Sequence, residues 1–204
     1  MTYIFHILGS LFTTEPPKDK LSGTTHSAFK TESPIAKGRL VGPIPTLAKE
    51  YEVSFEVNPS KNPTEKANVM HMGLGGNNAR YGDNTPSVSV VPSKDGPMLQ
   101  ISSAVNGNKD YQHVTAPIPL NQWSKVKVKQ NQVDGEHVYT ISVNDKEVHK
   151  VKNTQPEEFK DLKVYAGNPW TEAQPGKIKN LKIVDKLKPE GTGTFQIFYI
   201  LMYK

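Results

Sequence analysis

The sequence predicts an all-β protein, a two-sheet antiparallel jelly-roll sandwich, from three observations. Apolar and polar residues alternate over short segments, which is the periodicity of half-buried strands. The chain of 204 residues contains 16 prolines and 15 glycines, enough for many turns between short strands. No stretch of roughly twelve residues free of proline and glycine has the apolar spacing of an amphipathic helix. We therefore expect about ten to twelve strands at the regular spacing typical of sandwiches and barrels.

The first half of the chain contains one especially clear strand, at residues 51–57, where every second residue is apolar and the others are polar. The dipeptide Asn106-Gly107 accepts the positive φ angles of a tight reversal, so it predicts a hairpin turn. Three further strands are predicted in this half, at residues 68–74, 87–91 and 99–105.

The second half shows the same alternation. Apolar period two breaks between Ile178 and Leu181, which predicts a β-bulge near Lys179-Asn180 in the last strand. The strands of this half are predicted at residues 123–130, 138–143, 147–151, 162–166 and 178–183. The residues expected in the core are Phe55, Trp123, Val126, Val128, Tyr139, Ile141 and Val164.

These strands suggest one domain with two tails. We expect a leader or disordered tail at 1–24, with the apolar run of a weak signal segment but no basic start. The β-sandwich binding domain is expected at 25–187, and a C-terminal tail with a short apolar run at 188–204. No apolar run reaches the ~20 residues of a membrane-spanning helix. The absence of cysteine excludes disulfides and cysteine-ligated zinc.

The order of the predicted strands is similar to that of a known protein family. A strand led by Trp123 is followed by a hairpin across an Asn-rich turn within 139–148, and the final strand starts after Gly176. From 41 to 184 this order resembles the concanavalin A-like lectin/glucanase superfamily, which includes laminin-G-like and legume-lectin-like sandwiches. The resemblance implies a jelly roll that usually has a binding role, although fold alone does not establish function.

Catalysis finds little support in the sequence. Some members of that superfamily hydrolyse glycans with a Glu-x-Asp-x-x-Glu run, and this run is absent here. The nearest candidate, Asp145-Lys146-Glu147, falls in a predicted turn, where both carboxylates would be solvated. The histidines lack metal-binding spacing, and we interpret His71 as a buried, hydrogen-bonded histidine. We therefore predict that the protein is not an enzyme and has no metal site.

A loop at 75–84 is the leading ligand-binding candidate. Amides and a carboxylate can pair with sugar hydroxyls, and an aromatic ring can stack on a sugar's apolar face. Asp83 with asparagine carbonyls also offers oxygen ligands to Ca²⁺, but one carboxylate makes that a weak site and no cofactor is predicted. A long connection built from turn-forming residues is the alternative interpretation. The predicted ligand-binding residues are Asn77, Asn78, Arg80, Tyr81, Asp83, Asn84 and Trp170, the last as a stacking platform or as a lid on the sandwich edge.

Lysines supply a second candidate surface. The net charge of +5 is too small to imply specific nucleic-acid binding, but it allows contact with sulfated glycans. If the strands that carry the lysines were neighbours, a basic stripe would result; the alternative is a solvated face. The predicted polyanion-binding residues are Lys125, Lys127, Lys129, Lys177, Lys179 and Lys182.

Together these features predict a non-catalytic, extracellular or secreted recognition module. Its expected partner is a glycan or glycosaminoglycan, or an extracellular protein, bound through rim loops or the basic face. Two alternatives stay open. One is a structural, assembly or adhesion domain without a small ligand, and the other is a glycan-cleaving enzyme.

Overall fold

The computed structural model describes residues 21–189, and the statements below concern that part of the chain. Its regular structure consists of thirteen β-strands without any helix, which confirms the all-β prediction. In chain order the strands are β1 (Leu21–Phe29), β2 (Ser33–Pro34), β3 (Leu40–Leu47), β4 (Tyr51–Pro59), β5 (Ala67–Gly73), β6 (Ser87–Val91), β7 (Met98–Val105), β8 (Asn108–Pro117), β9 (Ser124–Val133), β10 (Glu136–Val143), β11 (Lys146–Lys152), β12 (Phe159–Tyr165) and β13 (Gly176–Pro189).

The strands form two antiparallel sheets packed as a sandwich. The front sheet has six strands in the order β3-β12-β5-β6-β7-β8. The back sheet has seven, in the order β1-β13-β4-β9-β10-β11, with the short β2 paired to β13. Residues 21–189 contain no helix that is long and apolar enough to cross a membrane.

The core lies between the two sheets and is made of alternate residues from both. Six of the seven predicted core residues are buried there, at 2% exposure or less. The prediction for Trp123 is wrong. Ser124, Val126 and Val128 point inward from β9, so period two turns Trp123 outward, where it is half-buried beneath Lys179. The Lys179 Nζ lies 4.1 Å from the indole ring centroid, a cation–π contact.

Two local predictions are confirmed. Asn106 and Gly107 have φ angles of 55° and 73° and form the β7–β8 hairpin. The pairing of β13 with β4 shifts register between Lys179 and Lys182, and Asn180 has a φ of 52°. The β-bulge therefore lies near Lys179-Asn180, as the interrupted alternation of apolar residues predicted.

The ends of the sandwich extend past the predicted bounds of 25 and 187. β1 begins at Leu21 and pairs with β13 as far as Pro189. β1 is rich in serine and threonine without apolar alternation, and its place in the sheet follows from backbone pairing with β13. The apolar runs predicted within 1–24 and 188–204 fall largely outside the described residues.

Candidate ligand-binding site

A row of five polar or aromatic residues crosses the front sheet. Tyr165 on β12 pairs with His71 on β5, and His71 pairs with Ser87 on β6. Ser87 in turn pairs with Ser102 on β7, which pairs with Gln112 on β8. Directly opposed residues on neighbouring strands point to the same face of a sheet. These five side chains, which we call the polar row, therefore lie side by side.

The polar row faces away from the core. Val88 and Val90 of β6 are fully buried in the core between the sheets. Ser87 and Ser89 alternate with them, so their hydroxyls lie on the opposite, outer face. The pairing of His71 with Ser87 places the imidazole on that outer face as well.

A cleft of about 120 Å³ opens over the three central members of the polar row, His71, Ser87 and Ser102, and we call it the polar cleft. Its walls come from β5, β6, β7 and β8, from the 75–84 loop and from the segment after β12. The residues that line it are Lys66, His71, Asn77, Asn78, Asn84, Ser87, Ser89, Ser102, Asp110, Asn168 and Thr171.

His71 is the most unusual of these residues. Its side chain is only 2% exposed, yet neither Nδ1 nor Nε2 has a hydrogen-bond partner among the described residues. His71 is therefore buried as expected, whereas the expectation that it is hydrogen-bonded is wrong. Burial lowers the pKa of His71 to about 4, against the opposing influence of the Asp83 carboxylate. The imidazole is thus neutral at pH 7, with one nitrogen a donor and the other an acceptor.

A second unpaired polar atom borders the same cleft. The Oδ1 of Asn78 is buried and has no hydrogen-bond partner among the described residues. Leaving a buried donor or acceptor unsatisfied costs roughly 1–3 kcal/mol, so such groups are rare in folded proteins. The coincidence of two of them at one cleft marks it as a place where a polar ligand would gain hydrogen bonds.

Two aromatic rings stand beside His71. The indole of Trp170 meets the imidazole edge-on, with ring centroids 5.2 Å apart. Tyr165 is tilted against the imidazole at 6.2 Å and packs edge-on against Trp170 at 6.3 Å. Because Trp170 is partly exposed, one face of this cluster is open to solvent.

Two buried asparagines hold the cleft in shape. The Asn68 Nδ2 donates to the hydroxyls of Ser87 and Ser89, both at 3.3 Å. The Oδ1 of Asn68 accepts a hydrogen bond from the amide of Asn168 at 2.8 Å. The side chain of Asn168 then accepts from the backbone amide of Trp170 at 3.1 Å. One hydrogen-bonded chain therefore connects the floor of the cleft to its aromatic wall.

Asp83 organises the 75–84 loop from within. It is fully buried, and its carboxylate accepts hydrogen bonds from the backbone amides of Gly76, Ala79 and Arg80 at 3.3, 2.9 and 2.8 Å. A Cβ on Gly76 would lie 2.4 Å from Asp83 Oδ2, so this close approach needs glycine. The carboxylate therefore faces its own loop, which leaves it poorly placed to contact a sugar or Ca²⁺.

The other predicted loop residues divide into two groups. Tyr81 donates its hydroxyl to the Gln155 carbonyl at 2.9 Å and packs against Phe159. Arg80 is exposed and donates to the Leu74 carbonyl at 3.2 Å. These two side chains support the loop. The three predicted asparagines line the polar cleft, and they are Asn77, Asn78 and Asn84.

The six lysines do not form a basic stripe. β4 lies between β9 and β13, so the condition for the stripe is not met. The outward residues of β4 include Glu52, which is 3.6 Å from Lys127, and Glu56, which is 3.4 Å from Lys179. Lys125 pairs with Asp145 at 2.7 Å, and Lys177 pairs with Glu32. Lys127, Lys129 and Lys182 line a groove of about 450 Å³ that also contains Glu52.

Carboxylates are sparse at the polar cleft. Asp110 is the only one among the described residues that line it, and it accepts hydrogen bonds from Asn84 at 3.3 Å and Gln112 at 2.6 Å. Within residues 21–189 no group of three or more His, Cys, Asp or Glu side chains is placed to hold a metal ion. The cleft therefore offers hydroxyls, amides and a neutral imidazole.

Sequence reasoning missed the polar row because serines and asparagines are common on any wet strand face. One feature of the sequence does distinguish the polar row from an ordinary solvated strand face. In 87–91 the residues that alternate with valine are serines, whereas in 51–57 two of the three polar residues are glutamates. A neutral wet face on a central strand differs from the charged face expected at a solvated surface.

The sequence matches no protein-family model and no curated protein, whereas the fold matches several solved structures. The carbohydrate-binding module CBM40 of the Ruminococcus gnavus IT-sialidase, bound to α2,3-sialyllactose, aligns with a TM-score of 0.50 and 11% identity over 78% of this chain and 91% of that chain. The leech intramolecular trans-sialidase aligns with a TM-score of 0.50 and 9% identity over 84% of this chain and 28% of that chain. A heptameric SAP-like pentraxin from Limulus polyphemus aligns with a TM-score of 0.47 and 16% identity over 85% of this chain and 77% of that chain.

At these identities the likeness shows the fold alone. The chain shares a β-sandwich fold with the carbohydrate-binding module CBM40.

Proposed function

We propose that this protein is a non-catalytic carbohydrate-binding module that recognises an uncharged glycan through the polar cleft of the front sheet. The observation that carries the proposal is His71. Its neutral imidazole is buried at the edge of the cleft, and within residues 21–189 both of its ring nitrogens lack a hydrogen-bond partner. A fold that leaves such a group unsatisfied is suited to a ligand that brings its own donor and acceptor.

Sugar hydroxyls meet this requirement. Adjacent hydroxyls of one ring present a donor and an acceptor side by side, and a neutral imidazole offers the complementary pair. Ser87, Ser89 and Ser102 add hydroxyls that donate or accept as needed, and Asn78 adds a buried carbonyl oxygen. The fold likeness to a module bound to α2,3-sialyllactose, an acidic oligosaccharide, supports glycan binding, whereas the preference for an uncharged glycan rests on the charge of the cleft alone.

The charge of the cleft favours an uncharged glycan. Lys66 and Asp110 are the charged residues that line it, and their formal charges cancel. A glycosaminoglycan would instead need several cations facing the same groove. Three of the lysines predicted to serve this purpose line one groove of the back sheet, but Glu52 lies among them, and four of the six pair with acids.

The two alternative functions have less support among the described residues. Glycoside hydrolases generally use a pair of carboxyl groups about 5–9.5 Å apart, and the polar cleft has one. An assembly domain would be expected to expose a large apolar patch. The exposed large hydrophobic residues lie on separate elements, and they are Leu40, Val114, Leu120 and Val133.

The test is a glycan array of neutral and anionic oligosaccharides probed with the wild-type chain and two variants. Ser102→Phe adds a ring that points away from the core and fills the polar cleft. Ser54→Phe makes the same change on the outer side of β4 and serves as the matched control. Thermal unfolding establishes that both variants are folded.

We expect the wild type and Ser54→Phe to bind the same neutral glycans, and Ser102→Phe to lose that binding. If Ser102→Phe retains the wild-type pattern, the proposal is wrong about the site. If the array shows no binding, or if a bound glycan is cleaved, the proposal is wrong about the function.

A further inference from the structure

A second cleft of about 510 Å³ adjoins the polar cleft, and we call it the side cleft. It lies between residues 61–67, which lead into the start of β5, and residues 170–175, the segment before β13. Its lining differs in character from that of the polar cleft, because much of it is apolar. The apolar residues that line it are Pro63, Ala67, Trp170, Ala173 and Pro175.

The two clefts share part of their walls. Lys66 and Thr171 line both of them. Trp170 lines the side cleft, and its ring touches His71, which lines the polar cleft. A ligand that extends from the polar cleft into the side cleft would therefore contact the indole of Trp170.

The walls of the side cleft are fixed by hydrogen bonds to the front sheet. The backbone amide of Asn68 donates to the Glu172 carbonyl at 2.7 Å, and the Gln174 amide donates to the Asn68 carbonyl at 2.9 Å. The Gln174 side chain donates to the Lys61 carbonyl at 2.8 Å, which joins the two walls to each other. Such a preorganised cleft loses little conformational entropy when it binds a ligand.

The volumes of the two clefts indicate which part of a ligand each of them can hold. Pockets for small molecules usually have volumes of ~300–1,000 Å³. The polar cleft, at about 120 Å³, is too small to enclose more than part of a sugar ring, whereas the side cleft falls within the range. Sugars have polar rims and apolar faces, so the polar cleft suits the rim of one ring and the indole suits the face of another.

We infer that the ligand is an oligosaccharide of at least two residues, with one ring at His71 in the polar cleft and the next stacked on Trp170 in the side cleft. This inference rests on the proposed function, since it assumes that the polar cleft binds sugar. It adds a chain-length requirement and a second subsite between residues 61–67 and 170–175.

Isothermal titration tests the inference with mono-, di-, tri- and tetrasaccharides of glucose, galactose, mannose and xylose. We expect affinity to rise about tenfold from the monosaccharide to the disaccharide or trisaccharide of at least one series, because the second ring gains the aromatic contact. In Trp170→Ala this gain is lost, so the ratio of oligosaccharide affinity to monosaccharide affinity falls to about one, whatever the affinity for the monosaccharide itself. Trp170→Phe, which keeps an aromatic ring, retains most of the gain and shows that folding is intact.

Tryptophan fluorescence locates the contact, because the chain has only two tryptophans, Trp123 and Trp170. In Trp123→Phe the emission comes from Trp170 alone, and we expect the longer sugars to protect it from acrylamide quenching more than the monosaccharide does. In Trp170→Phe the emission comes from Trp123 on the back sheet and should not respond.

The outcomes separate the two claims. Binding that does not strengthen with chain length, or a gain that survives in Trp170→Ala, overturns the inference and leaves the proposed function standing. Failure of every sugar series to bind overturns both.

Discussion

The backbone amide of Asn168 donates a hydrogen bond of 2.8 Å to the side-chain oxygen of Asn68, although the two residues are 100 positions apart in the chain. Asn68 lies on β5 and is fully buried beneath the polar cleft, and Asn168 begins the segment that carries Trp170. This contact fixes the aromatic wall relative to the serines of β6. The geometry of the proposed site therefore depends on one buried side chain.

Replacing Asn68 with alanine should destabilise the fold and impair the site together. The change removes the donors to Ser87, Ser89 and the carbonyls of β5 and β6, and it leaves the Asn168 amide unpaired. We expect the free energy of unfolding in urea to fall by about 2–4 kcal/mol. Gln132→Ala removes an exposed amide and should change it by less than about 0.5 kcal/mol. Equal effects of the two changes would contradict the assigned role of Asn68.

Asp83 should stabilise the fold without binding Ca²⁺. Asp83→Asn replaces one acceptor oxygen with an amide nitrogen that faces backbone N–H groups, so we expect a loss of about 1–3 kcal/mol. Adding Ca²⁺ or a chelator should leave the melting temperature of the wild type unchanged. A calcium-dependent rise in melting temperature that disappears in Asp83→Asn would show that the loop binds the ion after all.

Acid should destabilise the fold partly through His71. Its pKa in the folded protein is about 4, below the ordinary value near 6.5, because burial disfavours the charged form. The resulting stability is present above pH ~6.5 and is lost as the pH falls towards ~4. His71→Gln cannot be protonated, so between pH 7 and pH 4.5 its unfolding free energy should fall by about 2–3 kcal/mol less than that of the wild type.

Two other histidines provide the comparison for this experiment. His113 and His149 stack at 4.4 Å between the edges of the two sheets, and burial lowers the pKa of each. Both are more exposed than His71, so His113→Gln should reduce the acid sensitivity by a smaller amount. An acid profile for His71→Gln identical to that of the wild type would refute the assignment.

The back sheet should bind polyanions weakly, and its glutamates should be the reason. Glu52 and Glu56 pair with Lys127 and Lys179 on the strands beside β4. Glu52→Gln with Glu56→Gln frees these lysines, so the double variant should elute from a heparin column at higher salt. The control, Glu157→Gln with Glu158→Gln, makes the same change in net charge on the segment before β12. If both pairs shift elution equally, net charge rather than the β4 carboxylates limits binding.

The strands and turns could be read from the sequence because they follow local rules. The alternation at 51–57, the Asn106-Gly107 turn and the bulge at Lys179-Asn180 depend on residues close together in the chain, and the structure contains all three. Trp123 was misplaced because it immediately precedes β9, where the strand period had to be counted from Ser124.

The candidate site could not be read in the same way, because it depends on strand order. His71 and Ser102 are brought together by the pairing of β5, β6 and β7, and β4 enters between the two lysine strands. Neither fact is visible in any local segment. The loop asparagines, which line the polar cleft, were singled out because turn-forming residues with exposed amides stand out locally, whereas the buried role of Asp83 depends on how its loop folds back.

Nuclear magnetic resonance of the His71 ring tests the central claim most directly. The protein labelled with ¹⁵N-histidine is titrated with the neutral glycan that gives the strongest array signal. The account predicts that the ring nitrogen resonances of His71 shift in a saturable manner, because they gain hydrogen bonds, while those of His113 and His149 stay in place. A glycan that binds and leaves the His71 resonances unmoved would contradict it.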